Sequence, residues 1–163
     1  MKKLFCFLLA LPALLASCAA APSPLAYQEN IARAACTLEA GGGTYKVEIT
    51  PGKTLSILEP EELFGAAFSL DGDKYTLSSG GTTLDLPQTL IPLMTPIIGA
   101  FSLPSDGAKT STSGDDTRVV KVEANGGDYE IKLASDGAPS EISYKGIREF
   151  VITGIEIQNE IAA

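Results

Sequence analysis

Tyr45-Lys46-Val47-Glu48-Ile49-Thr50-Pro51-Gly52-Lys53-Thr54-Leu55-Ser56-Ile57 decides the fold. Tyr45, Val47 and Ile49 alternate with Lys46, Glu48 and Thr50, the pattern of a strand with one apolar and one wet face. Pro51-Gly52 is a turn, after which Leu55 and Ile57 resume the alternation. Two strands joined by so short a turn must be antiparallel.

The same grammar extends in both directions. Residues 31–39 read as a first strand, and Gly41-Gly42-Gly43 as the turn that follows. Phe64, Ala66, Phe68 and Leu70 keep the spacing, and Asp71-Gly72 is a hairpin signal before Tyr75 and Leu77. Leu84 and Leu86 extend the sheet. In the second half, Val120 and Val122 are followed by an Asn125-Gly126-Gly127 turn. Tyr129, Ile131 and Leu133 come next, then Asp136-Gly137, then Ile142 and Tyr144. The last strand has Phe150 and Ile152 inward and then changes parity to Ile155 and Ile157, which predicts a bulge at Thr153-Gly154.

Residues 88–101 break the period. Leu90, Met94, Ile97 or Ile98, and Phe101 share one helical face, while Asp85 and Pro87 suit a helix start. Pro92 and Pro96 each remove a backbone bond, so the expectation is a kinked helix or two short ones packed on the sheet. Residues 103–116 read as a polar loop. The expected fold is α+β, mostly β. It is a curved antiparallel half-barrel of about eight or nine strands, with one kinked helical segment on its concave face.

Pro60-Glu61-Glu62-Leu63-Phe64-Gly65, then Phe68-Ser69-Leu70-Asp71-Gly72-Asp73-Lys74-Tyr75, resemble the LolA-like lipoprotein-carrier fold. The helix after Leu86 and the Ala138-Pro139-Ser140-Glu141-Ile142 strand add to this. The resemblance implies an incomplete barrel with helices on its concave side and an apolar space that accepts acyl chains. The chain departs from that family in having one helical segment and no tryptophan.

The amino terminus points to export. Lys2 and Lys3 precede an apolar run from Leu4 to Leu15, broken by Pro12. That run is shorter than the roughly 20 residues that span a bilayer, and has the length of a signal-peptide core. Leu15-Ala16-Ser17-Cys18 resembles the bacterial lipobox, in which small residues admit the signal peptidase and the cysteine sulfur takes a diacylglycerol. The alternative is an ordinary secretory signal cut near Ala20 or Ala21. The expected organisation is a removed signal (1–17), a lipidated tether (18–30) and one domain (31–163) with a helical insertion (87–102). The product is an extracytoplasmic protein held at a bacterial membrane by Cys18.

Composition narrows the function. The net charge is −8, and loss of Lys2 and Lys3 makes it two units more negative, so the domain is repelled by nucleic acid and by the anionic headgroups of a membrane surface and should stand off that surface on its tether. There is no histidine, which excludes Ser-His and Cys-His catalysis and histidine-based zinc sites. Cys36 remains as a lone thiol and reads as a core residue. Pro51-Gly52-Lys53-Thr54 imitates a phosphate loop, but Val47 stands where its first glycine belongs. Asp71-Gly72-Asp73 lacks the further ligands of a calcium loop. Glu59, Glu61 and Glu62 offer a carboxylate pair for acid–base work, but Glu61-Glu62 after Pro60 also reads as a helical first turn.

No enzyme, cofactor or metal site is expected. One reading is a binding module for a lipid or acyl chain, in a groove lined by Tyr75, Leu90, Met94, Ile97, Ile98, Phe101 and Tyr129. The other is a structural or interaction lipoprotein whose polar face or acidic loop meets an envelope protein.

Overall fold

The alternation of inward apolar and outward polar residues recurs strand by strand in a computed structural model, which describes residues 23–71, 74–113 and 117–160. Six strands precede the helical segment: β1 (Ile31–Ala40), β2 (Gly43–Thr50), β3 (Thr54–Glu59), β4 (Ala67–Asp71), β5 (Lys74–Ser79) and β6 (Thr82–Asp85). Five follow it: β7 (Lys109–Thr112), β8 (Arg118–Ala124), β9 (Gly127–Leu133), β10 (Pro139–Lys145) and β11 (Phe150–Asn159).

They form one antiparallel sheet in the order β6-β5-β4-β3-β2-β1-β11-β10-β9-β8-β7. The sheet is therefore two meanders joined where the first strand meets the last. It has 11 strands rather than eight or nine. The strand with no counterpart in that expectation is β7; β6 falls where Leu84 extends the sheet, and the two are the edges, whose residues are all exposed. Alternation of hydrophobicity records which face is buried, and an edge strand with neither face covered leaves no such record. So β7 forms inside the stretch that reads as a polar loop.

Turn chemistry fixes the register. In Ala40-Gly41-Gly42-Gly43 and Ala124-Asn125-Gly126-Gly127 the outer residues pair across a two-residue turn. Both central residues of each turn have positive φ, which glycine and asparagine tolerate. The predicted bulge in β11 is present. Ala35 faces Glu156 and Thr37 faces Thr153, so β11 carries one extra residue there, and Gly154 has φ 57°. The bulge moves Ile155 and Ile157 onto the side that Phe150 and Ile152 occupy earlier in the strand.

On the outer face the long polar residues pair across strands. Lys46–Glu59 (2.8 Å), Lys121–Glu130 (3.0 Å) and Lys132–Glu141 (2.9 Å) stand directly opposite one another, and Arg33–Glu48 (3.5 Å) lies on a diagonal. Pairs this exposed contribute about 0–1 kcal/mol each and serve register more than stability.

The helical run is one compound segment. A 3-10 turn (Gln88–Leu90) leads into α1 (Ile91–Ile98), and a second 3-10 turn (Gly99–Phe101) closes it. Pro92 is tolerated in the first turn, whereas Pro96 lies inside the helix and leaves the Pro92 carbonyl without its usual donor.

How far the sheet curls follows from two hydroxyls. Tyr75 on β5 bonds to Thr95, and Tyr129 on β9 bonds to its neighbour Pro96. In a flat sheet β5 and β9 would lie seven strand spacings apart, roughly 34 Å. Two adjacent helix residues can reach both only if the sheet bends round α1. Ile98, Ala100 and Phe101 accordingly share one core with Val47, Ile49 and Leu55 from the first meander and Val120, Ile131 and Ile142 from the second.

The segment before β1 is also docked. Leu25 is buried in the core and Tyr27 packs beside it through a 3-10 turn, Ala26–Gln28. Residues 1–22, with Leu15, Ala16, Ser17 and Cys18, lie outside the described residues.

Candidate functional site

Among the inward positions of β2, β3, β4 and β5, Tyr45 and Val47, Leu55 and Ile57, Phe68, and Leu77 line one space. Opposite them α1 presents Leu93, Met94 and Ile97, at the i, i+1 and i+4 spacing of one helix face. Between the two runs an open groove of about 460 Å³. Its wall is apolar almost throughout, and its volume falls within the roughly 300–1,000 Å³ range of small-ligand pockets.

One end of the groove is defined by the β1–β2 turn at Gly41 and by Arg148 and Glu149 before β11. The same end carries exposed apolar side chains. Leu63 lines the groove, Phe64 beside it is 68 % exposed, and Ile147 next to Arg148 is 65 % exposed. Chain entry lies at the other end: Ser23, Pro24 and Ala26 sit against Arg118, Gly137 and Asn159. The ten residues of β1 separate the two ends, about 30 Å of extended chain.

The sequence-derived lining set divides. Met94 and Ile97 do line the groove. Ile98 and Phe101 are 1 % exposed and face the core instead. Leu90 stands at the surface, in the 3-10 turn before α1.

Tyr75 and Tyr129 hold the helix in place. The Thr95 hydroxyl donates to the Ile91 carbonyl at 2.9 Å, so the Tyr75 hydroxyl donates to Thr95 Oγ1 at 2.7 Å. The Tyr129 hydroxyl donates to the Pro96 carbonyl at 2.8 Å and accepts from Asn125 Nδ2 at 2.9 Å. Burial pushes the Tyr129 phenol above its ordinary range, against the hydrogen bond from Asn125, so it stays protonated as a donor at neutral pH. Gly52 N–H adds a bond to the Ile98 carbonyl at 3.2 Å. These bonds all fall on the C-terminal half of α1. Tyr129→Phe is expected to lower stability by about 1–2 kcal/mol, because it leaves the Asn125 amide without this acceptor and removes a buried bond. Denaturant unfolding measures this, and amide exchange should quicken within Ile91–Ile98.

Sequence reasoning missed most of the groove's sheet wall. Val47, Leu55, Ile57, Phe68 and Leu77 were legible as inward, but inward parity does not distinguish a residue covered by protein from one that borders a space. Arg148 gave no signal at all, since it lies in an irregular turn.

A second, larger cleft of about 870 Å³ involves Lys109, Lys121 and Lys145 with Asp106, Glu123, Asp128 and Glu130. Its charges are mixed, and Lys121 and Glu130 already pair with each other. Among the described residues no group of three or more cysteine, aspartate and glutamate side chains is placed to hold a metal. Glu61 and Glu62 occupy the first turn of a 3-10 helix (Glu61–Leu63), and Glu59 pairs with Lys46. Burial pushes the Cys36 thiol up to about 12, which makes it a poor nucleophile.

No family model and no curated protein matches the chain. Similar solved structures include a LolA superfamily protein from Nitrosomonas europaea: 10% identity, 79% of this chain, 86% of that chain, TM-score 0.38. Mycobacterium tuberculosis lipoprotein LppX is similar at 13% identity, over 87% of this chain and 98% of that one, with a TM-score of 0.45. LprF from Mycobacterium bovis is similar at 12% identity, over 86% and 91%, with a TM-score of 0.36.

Proposed function

We propose that the chain is a non-catalytic, extracytoplasmic lipoprotein that holds an apolar ligand, a lipid or acyl chain, between its sheet and α1. The observation that carries this reading is the apolar wall formed by Val47, Leu55, Ile57, Phe68, Leu77, Met94 and Ile97 around an open space. Val47, Leu55, Ile57 and Ile97 form the buried floor of that space, while Phe68, Leu77 and Met94 stay only half-buried and so forgo part of the about 1.5–3 kcal/mol that full burial gives each. A ligand tail supplies the missing contacts.

The arrangement of α1 supports entry as well as binding. Its C-terminal half is fastened by Tyr75, Tyr129 and Gly52, while Leu90 and Pro92 at the other end are exposed. Exposed Phe64 and Ile147 extend apolar surface outward from the mouth. With the anchor on Cys18, the mouth points away from the anchoring membrane, because the chain enters at the far end of β1.

A fluorescent long-chain acyl probe tests the reading. The wild-type chain should bind it saturably. Met94→Glu, which sets a carboxylate on the groove wall, should weaken binding at least about tenfold, as burial of an unpaired charge costs more than 1.4 kcal/mol. Met94 is only half-buried, so the variant should keep its fold. Equal binding by both proteins would place the probe elsewhere. A partner protein on the polar face remains the competing reading. It is favoured if no acyl probe binds and crosslinking captures an envelope protein.

A further inference from the structure

The groove is apolar along its walls but ends on a single cation. Arg148 is the one lysine or arginine that lines it. The basic groups of β1, β2, β8 and β9 that lie near acidic neighbours are committed to them: Arg33, Lys46, Lys121 and Lys132 all pair with glutamates. Arg148, by contrast, has no ion pair and no hydrogen bond among the described residues. Its guanidinium lies over the β1–β2 turn, with Nη1 3.8 Å from where a Cβ on Gly41 would stand.

Arg148 and Glu149 both lie in the exposed irregular turn before β11. Glu149 also borders a second hollow with Glu39, Thr44 and Val151, which the Arg148 side chain does not line. An arginine fork left unpaired at the mouth of an apolar groove suits a planar or tetrahedral anion. At about 460 Å³ the groove is in the lower half of the ligand-pocket range, which suits one chain rather than several.

We propose that the ligand is a single-chain amphiphile with an anionic head, carboxylate or phosphate monoester, whose tail lies against Val47, Leu55, Phe68 and Met94 and whose head is held by Arg148. The proposal rests on the reading of the groove as a ligand site. It gives the groove a polarity, tail inward and head at the Gly41 end, and so an order of entry.

Competition against a fluorescent acyl probe, with four ligands of equal chain length, separates the two claims. The ligands are an alkyl carboxylate, an alkyl phosphate, an alcohol and an alkyl trimethylammonium. Each is kept below the concentration at which it forms micelles. In the wild-type chain the carboxylate or the phosphate should bind tightest, and whichever wins names the head. Arg148→Gln should weaken that ligand roughly fivefold to tenfold, the scale of one charge-assisted contact at an open site, and leave the alcohol unchanged. Lys74→Gln, at an exposed position on β5, should change nothing. If all four bind alike, or the ammonium binds best, the groove stands as a ligand site and the role of Arg148 is wrong. If none competes, both readings fall.

Discussion

Replacing Phe101 with alanine is expected to cost about 3–5 kcal/mol of folding stability, the usual scale for deleting a buried aromatic side chain. Phe101 is 1 % exposed and belongs to the core that joins the two meanders. It ends the helical run, in the 3-10 turn Gly99–Phe101. The space it leaves is enclosed by Ala100, Ile98 and sheet residues, none able to swing in without leaving its own contacts. Since domains of this size are stable by only about 5–15 kcal/mol, the variant should unfold at a much lower denaturant concentration. Denaturant titration with an unchanged slope measures the loss. A loss below about 1 kcal/mol would mean that the helical run does not pack into the sheet as described.

The second large effect concerns attachment. Cys18→Ser should move nearly all of the protein from the membrane fraction to the soluble extracytoplasmic fraction. Cys18 lies outside the described residues, so the argument is chemical. On the lipobox reading, serine lacks the thiol that forms the thioether, and the chain loses the two or three acyl chains that would hold it. Each buried methylene contributes about 0.8 kcal/mol, and one chain alone gives marginal binding. Among the described residues no helix is long and apolar enough to cross a membrane. Retention of the variant in the membrane would contradict the lipobox reading. A mature terminus beyond Cys18 would favour an ordinary secretory cut near Ala20 or Ala21.

What the sequence disclosed depended on burial. Val47 and Ile49, Ile131 and Leu133, Ile142 and Tyr144 each announced a strand because one face of that strand is covered. The parity change after Ile152 even located the bulge at Gly154. Lys109–Thr112 announced nothing, and Thr82–Asp85 only Leu84, because both faces of those edges meet water. The candidate site was legible in part for a related reason. Periodicity placed Met94 and Ile97 on the inner face of the helix, where they line the groove. The same rule put Ile98 and Phe101 beside them, but neither borders the groove. Whether an inward side chain meets a neighbour or a space is settled by packing between segments far apart in the chain. Periodicity within one segment carries no information about it. Arg148 illustrates the limit, since its relation to Gly41 depends on how β11 and β1 pair.

The most direct test of the ligand reading is mass spectrometry of the solvent extract from purified Cys18→Ser protein, which carries no covalent lipid. The account predicts one single-chain amphiphile, near one per chain, that is lost from Met94→Glu protein of unchanged fold. A clean extract, together with no thermal shift on adding carboxylate or phosphate amphiphiles, would contradict it. In that case α1 would serve only to cover the sheet.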